Sequence, residues 1–172
     1  LRRLSEGGID FFYRGEIADR IVAYIQENGG ILTKEDFVSY EVEVTPLVDT
    51  HYRGHTILTY PQASNGATIA ETLNILASFD LYGMGFNTTK SIHVFIEALK
   101  LAFMDRYEYS GDRDQVPIPY DGMMSWAYGR KRANAIDMAK ASLFEPGDPW
   151  KFEGSGYKLY RETEGFHRAG QT

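Results

Sequence analysis

A threonine hydroxyl is a weak nucleophile until a base takes its proton. A threonine at an N-terminus carries that base itself, because its free amine has an unperturbed pKa of about 8. Thr172 stands at the opposite end of this chain, directly after Gln171. It gains such chemistry only if the polypeptide continues and the Gln171-Thr172 bond is cut. Other candidates have plainer readings. His93 and Glu97 lie four apart, the spacing at which a helix could offer both to one metal, yet His51, His55 and His167 fall in other segments. They read as a solvated pair on a helix face. Glu97 with Asp105, or Asp112 with Asp114, could pair as acid and base. Asp112 and Asp114 follow Gly111, where aspartate commonly makes side-chain turns, and Asp105 with Arg106 reads as an ion-pairing set that fixes neighbouring loops. Gly29-Gly30 and Asn65-Gly66 lack the strand, glycine spacing and lysine of a phosphate loop. The expectation is no cofactor and no metal.

These residues ride on elements that the apolar pattern outlines. Across residues 87–112, Ile92, Phe95, Ile96, Leu99, Ala102 and Phe103 recur at helical spacing, and Val94, Ala98 and Leu101 carry the apolar surface most of the way round. This reads as a buried central helix whose narrow polar stripe is His93, Glu97, Lys100 and Glu108. Asn87 or Thr88 would cap it and Gly111 would stop it. Upstream, Ile17, Ala18, Ile21, Val22 and Ile25 mark an amphipathic helix over residues 16–28, with Gly29 placed for a left-handed cap. Gly7-Gly8 breaks the helical start, and Phe11, Phe12 and Tyr13 form an aromatic group suited to packing. Thr33 and Asp36 resemble a capping box. Val42 and Val44 alternate with polar residues as an edge strand would, next to Pro46, with residues 56–60 as the partner across a turn within residues 49–54. Residues 61–66 form a turn cluster, followed by a helix carrying Ile69, Ala70, Leu73, Leu76 and Ala77. A further helix-prone stretch over residues 124–138 is anchored by Trp126, Tyr128 and Ile136. The fold class expected is α+β, predominantly helical with a small antiparallel strand pair. Residues 1–141 would form one helical domain with the strand pair at about 41–60, and residues 142–172 an extended linker.

Composition sets the outer limits. A chain of 172 residues can bury roughly two thirds of the surface that its unfolded form exposes. It has no cysteine, so thiolate metal sites, disulfides and a cysteine nucleophile are excluded. The net charge of −6 and scattered basic residues oppose nucleic-acid binding. No apolar run is long enough to span a bilayer. Leu1 opens the chain inside a helical stretch, so upstream residues are expected.

The order of segments resembles the C-terminal half of the large subunit of gamma-glutamyltranspeptidases, within the N-terminal-nucleophile hydrolases. The resemblance rests on FYRGEIADRI (12–21), NGGILTKEDFVSY (28–40), YRGHTI (52–57), LNILASFDL (73–81), EALKLAFMDR (97–106) with Gly111-Asp112, VPIP (116–119) and the terminal Gln171-Thr172. It implies that this piece joins an αββα Ntn-hydrolase enzyme. Its helices would pack against the hydrolase sandwich, and its tail would lead to a self-cleavage junction. Thr172 would attack the gamma-carbonyl of glutathione or a related amide and pass the gamma-glutamyl group to water or an amino acid. The implied partners are a small subunit from the same precursor and a gamma-glutamyl small molecule. The small subunit would supply the oxyanion donors, and a substrate-binding arginine would lie upstream of Leu1. The resemblance favours a periplasmic or extracellular address, with a cytoplasmic one open. A chain carried through Thr172 fits an unprocessed precursor, a shortened chain or a nucleophile one residue further on. Three departures mark a divergent member. Only Pro61, Ser64 and Gly66 remain of the family's turn, Arg113 replaces a proline between Asp112 and Asp114, and residues 139–170 look longer than usual. The alternatives are a poly-gamma-glutamate-processing or cephalosporin (glutaryl) acylase-like relative, or a non-catalytic scaffold paralogue.

Overall fold

The computed structural model describes residues 1–42, 44, 47–60, 65–112 and 115–154. They divide into two compact units, residues 1–44 and those from residue 45 onward.

In the first unit, α1 (Arg2–Tyr13) kinks at Gly8, whose φ of 65° and ψ of −163° suit a residue without a Cβ. α2 (Glu16–Glu27) buries Ala18 and Val22. It ends where the sequence places its stop, because Gly29 adopts a left-handed φ of 79°. α3 (Lys34–Val38) begins with the expected reciprocal cap. Asp36 N donates to Thr33 Oγ1, and Thr33 N donates to Asp36 Oδ2 at 2.7 Å. Lys34 Nζ reaches the carbonyl of Arg14 at 2.8 Å and Asp19 Oδ1 at 2.5 Å, tying α3 to α2. Phe12, Tyr13, Phe37 and Tyr40 pack ring on ring, with Tyr13 and Tyr40 stacked at 5.4 Å.

The expected edge strand at Val42 and Val44 does not form among the described residues: both side chains are exposed, and neither residue is in a strand. The first strand is instead β1 (Val48–Tyr52), antiparallel to β2 (His55–Thr59), with Tyr52 facing His55 and Val48 facing Thr59. Arg53 and Gly54, at φ 51° and 82°, make a two-residue turn of the type whose twist matches a hairpin. That turn sets the register. Alternation at residues 42–44 describes an amphipathic strip, but Val42 and Val44 both stay exposed.

In the second unit, α4 (Gly66–Leu76) is followed by α5 (Leu81–Met84), the long α6 (Thr89–Tyr109), α7 (Tyr120–Met123) and α8 (Trp126–Ala133). α4 is the hub, packed against α6, α8, α7 and both strands. Thr88 caps α6, with Ser91 returning the bond. The helix ends because Ser110 turns extended (φ −81°, ψ 137°), so Gly111 lies beyond the stop rather than making it. Ile75, Leu76, Val94, Ala98, Leu101 and Ala133 form the main core, with Phe144 and Ile136 against it. Of the expected α8 anchors, Tyr128 is fully buried, whereas Trp126 stays half exposed.

The buried face of α6 is not the one that the apolar pattern suggested. Val94, Glu97, Ala98, Leu101, Ala102 and Asp105 face inward. Ile92, Phe95, Ile96 and Phe103 are 37–49% exposed. A helix that is apolar nearly all round gives periodicity no preferred direction. Small Ala98 and Ala102, with two acids that find internal partners, decide the contact. Of these, Phe95 and Phe103 join Leu99 and, from α4, Ile69 and Leu73 around an open groove of 310 Å³.

Asn74 shows how tightly α4 is held. Fully buried, it accepts from Thr50 Oγ1 at 2.9 Å and donates to the Met124 carbonyl at 2.8 Å. Gly129 of α8 lies against it, and a Cβ there would fall 2.5 Å from Asn74 Cβ and 2.9 Å from its backbone carbon. Gly129→Ala should therefore cost about 1–3 kcal/mol by overpacking. The roughly 1 kcal/mol that alanine gains over glycine inside a helix offsets this only in part. The measurement is the urea midpoint of the full-length variant, expected to fall.

Candidate functional site

Thr172 and Gln171, the residues singled out for nucleophilic chemistry, lie outside the described residues, as do Arg113, Asp114 and the turn residues Pro61 and Ser64. What the structure does assemble is a set of buried acids along α6, facing residues 142–154.

Glu97 is not the solvated helix-face group that its spacing suggested. It is 1% exposed, accepts from Lys100 Nζ at 2.7 Å and takes the Ser142 amide at 3.0 Å. Burial alone would raise its pKa. Lys100, the Ser142 N–H and His93 together hold it below the ordinary carboxyl value. His93 Nε2 contacts the carbonyl of Asp137 at 2.8 Å, and since a carbonyl only accepts, that nitrogen carries the hydrogen. Both residues are therefore engaged with protein groups. Among the described residues no group of three or more histidines or acids is placed to hold a metal ion.

Asp105 pairs with Arg132 of α8, not with its neighbour Arg106, whose guanidinium lies over Phe103. Consecutive helical residues point some 100° apart, so adjacency in sequence does not make an ion pair. Fully buried, Asp105 accepts on Oδ1 from Arg132 Nη2 at 3.0 Å and from the Gly147 amide at 2.6 Å, and on Oδ2 from the Tyr128 hydroxyl at 2.5 Å. Arg132 also donates to the carbonyls of Leu101 and Glu145, and the Tyr109 hydroxyl donates to the Gly147 carbonyl. Burial, then the bond to Asp105, pushes the Tyr128 hydroxyl far up, which keeps it a donor. Residues 142–154 thus run along α6 pinned at Ser142, Glu145 and Gly147, and end in a 3-10 turn over Pro149–Phe152.

Glu71 of α4 completes the group, and sequence reasoning passed over it. It is fully buried, and neither carboxyl oxygen has a hydrogen-bond partner. The available signal was its position: Glu71 sits four residues from both Ala67 and Ile75, an acid in the middle of an apolar helix face. Desolvation first, then the Asp105 charge and the Asp105 carboxyl lying within hydrogen-bonding range, raises its pKa well above the ordinary carboxyl range, with Arg132 opposing. Since Glu71 and Asp105 are both fully enclosed, no substrate atom reaches them, and their arrangement braces the helices rather than transforms a ligand.

A family model described as Gamma-glutamyltranspeptidase matches residues 1–169. The chain belongs to this family. The Glutathione hydrolase proenzyme of Escherichia coli (strain K12) is 39% identical over 160 residues, which takes in 90% of this chain and 27% of that protein. In structure, the gamma-glutamyltranspeptidase of Helicobacter pylori superposes with a TM-score of 0.76 at 32% identity, covering 96% of this chain and 46% of that one. A cephalosporin acylase from Bacillus halodurans gives a TM-score of 0.77 at 34% identity, over 86% of this chain and 27% of that one. The expected fold class holds: a mostly helical α+β piece with one antiparallel pair among the described residues, whose structural neighbours are Ntn-hydrolase transpeptidases and acylases. The chain spans about a quarter of the length of the curated glutathione hydrolase proenzymes that it matches.

Proposed function

We propose that this chain is a large-subunit segment of a gamma-glutamyltransferase or hydrolase, cut from its small subunit before Thr172. Water adds across the Gln171-Thr172 amide, leaving a carboxyl on Gln171 and a free amine on Thr172. The freed threonine attacks the gamma-carbonyl of glutathione or a related amide, expels the amine, and yields the acyl group to water or an amino acid. The observation that carries this reading is the family match over residues 1–169, which stops just short of Gln171-Thr172. Relatives named as proenzymes support the cut. The helices act as scaffold. The outward apolar strip of Phe95, Leu99 and Phe103 on α6, with Ile69 and Leu73 on α4, is the kind of surface that another layer of the same protein covers.

The likeness to the cephalosporin acylase favours a second reading, an acylase that accepts a glutaryl group, which lacks the amine of a gamma-glutamyl group. One experiment separates the two. The full-length protein is offered a chromogenic gamma-glutamyl anilide and its glutaryl counterpart. The expected result is release from the first, with two fragments on a denaturing gel, the smaller beginning at Thr172. Release from the glutaryl compound alone transfers the assignment to the acylase. A single uncut chain without release from either leaves a non-catalytic scaffold.

A further inference from the structure

Asp105 and Glu71 do not balance as drawn in their ionised forms. A carboxylate offers about four lone-pair sites. On Asp105 three are filled, two on Oδ1 by Arg132 and Gly147 and one on Oδ2 by Tyr128. Glu71 has no partner for either oxygen. Two ionised carboxylates are acceptors only, so nothing joins them until a hydrogen is supplied. Charge leads to the same point. Two buried acids face one guanidinium, a net −1 in an enclosed site, and one added proton makes the group neutral. Charges enclosed without compensation are costly enough that such groups neutralise instead. Among the described residues, Asp105 from α6 and Arg132 from α8 are the charged groups acting on Glu71. β1, β2 and α7 also pack against α4. Their Asp49, His51, His55 and Asp121 do not figure among the influences on it. Tyr128 adds a neutral donor already spent on Asp105.

We propose that Glu71 carries a hydrogen and donates it to the remaining acceptor site of Asp105, so that the two acids work as one proton-sharing pair. This pair braces α4, α6, α8 and residues 142–154 at a single buried point. Asp105 is the shared member. Through Gly147 it holds the segment that leads toward residue 154, and through Arg132 it holds α8. The direction of the Glu71 shift agrees, since burial and the Asp105 charge both favour its protonated form.

The consequence is a proton linkage of definite sign. In the unfolded chain Glu71 loses its proton near the ordinary value of 4.5, whereas in the fold it keeps it to higher pH. Between those two values the native state binds one more proton than the unfolded state. Each pH unit upward therefore favours opening by up to tenfold, and the loss levels off once pH passes the raised native value.

The test uses the full-length protein and hydrogen exchange of peptides covering residues 66–76 and 142–150, corrected for intrinsic exchange, between about pH 5 and pH 8. Wild type is compared with Glu71→Gln, whose amide donates at every pH. Wild-type protection in both peptides should fall, relative to the variant, by up to tenfold per pH unit. Should that variant not fold, Glu71→Met fills similar space without an ionisable group and should likewise remove the fall. Parallel pH dependence in wild type and either variant overturns the proposal, as does level wild-type protection of residues 66–76 across the range. The readout is independent of which amide the full protein cleaves, so absent turnover and absent proton linkage are separate results.

Discussion

Thr172→Ala in the full-length protein is expected to leave one uncut polypeptide and to lower amine release from a gamma-glutamyl anilide by on the order of 10⁶-fold, the scale seen when a hydrolase loses its nucleophile. Two losses combine. Alanine removes the hydroxyl that would form the acyl-enzyme, and without the cut no free amine appears beside it to act as base. Thr172→Ser separates the two contributions, since it retains a hydroxyl and can liberate the same amine. It should therefore cut itself and retain measurable turnover. For wild type, the rate should rise as that amine loses its proton, at about pH 8 for an unperturbed α-amine. Undiminished release or a normal cut in the alanine variant would refute the mechanism, whereas a normal cut with no release in wild type would move the fault to the substrate.

The elements that sequence disclosed were those whose signals are local. Thr33 with Asp36 closes its cap within four residues, and Gly29 takes the backbone region that its lack of a Cβ allows. Thr88 is equally self-contained. Tertiary choices were not legible in the same way. The hairpin start needed the observation that Arg53-Gly54 alone closes the turn, which moves β1 to Val48 and leaves Val42 and Val44 exposed. The orientation of α6 could not be read from a helix apolar on most sides, and inward-facing Glu97 and Asp105 contradict the usual preference of acids for solvent. They are tolerated because Lys100, Ser142, Arg132, Gly147 and Tyr128 come from 3 to 45 residues away to meet them. Lys100 sits at ordinary helical spacing from Glu97, but no spacing rule reaches the other four. The motif EALKLAFMDR pointed to the family without saying that its Glu97, Lys100 and Asp105 form internal bonds.

Asp105→Ala should be the most damaging substitution within the described fold, lowering stability by about 3–5 kcal/mol, the range for removing one member of a buried ion pair. The loss spreads over three donors at once. Arg132, only 11% exposed at its side chain, would keep its charge with no carboxylate at 3.0 Å. The Tyr128 hydroxyl and the Gly147 amide would each lose their acceptor in buried or half-buried surroundings. Some relief comes from Glu71. With the Asp105 charge gone and Arg132 unpaired, its carboxyl has less reason to hold a proton and can ionise toward the guanidinium. It is a poor substitute, because neither of its oxygens bonds the Gly147 amide that Asp105 holds. The expected measurement is therefore twofold: a large fall in the urea midpoint, and faster exchange at Gly147 that exceeds the change in α4. Asp105→Asn keeps the shape but supplies an amide that can only repel one of the three donors, so it should fall between wild type and alanine. Equal stability of the alanine variant would mean that Asp105 is not what holds α6 to residues 142–154.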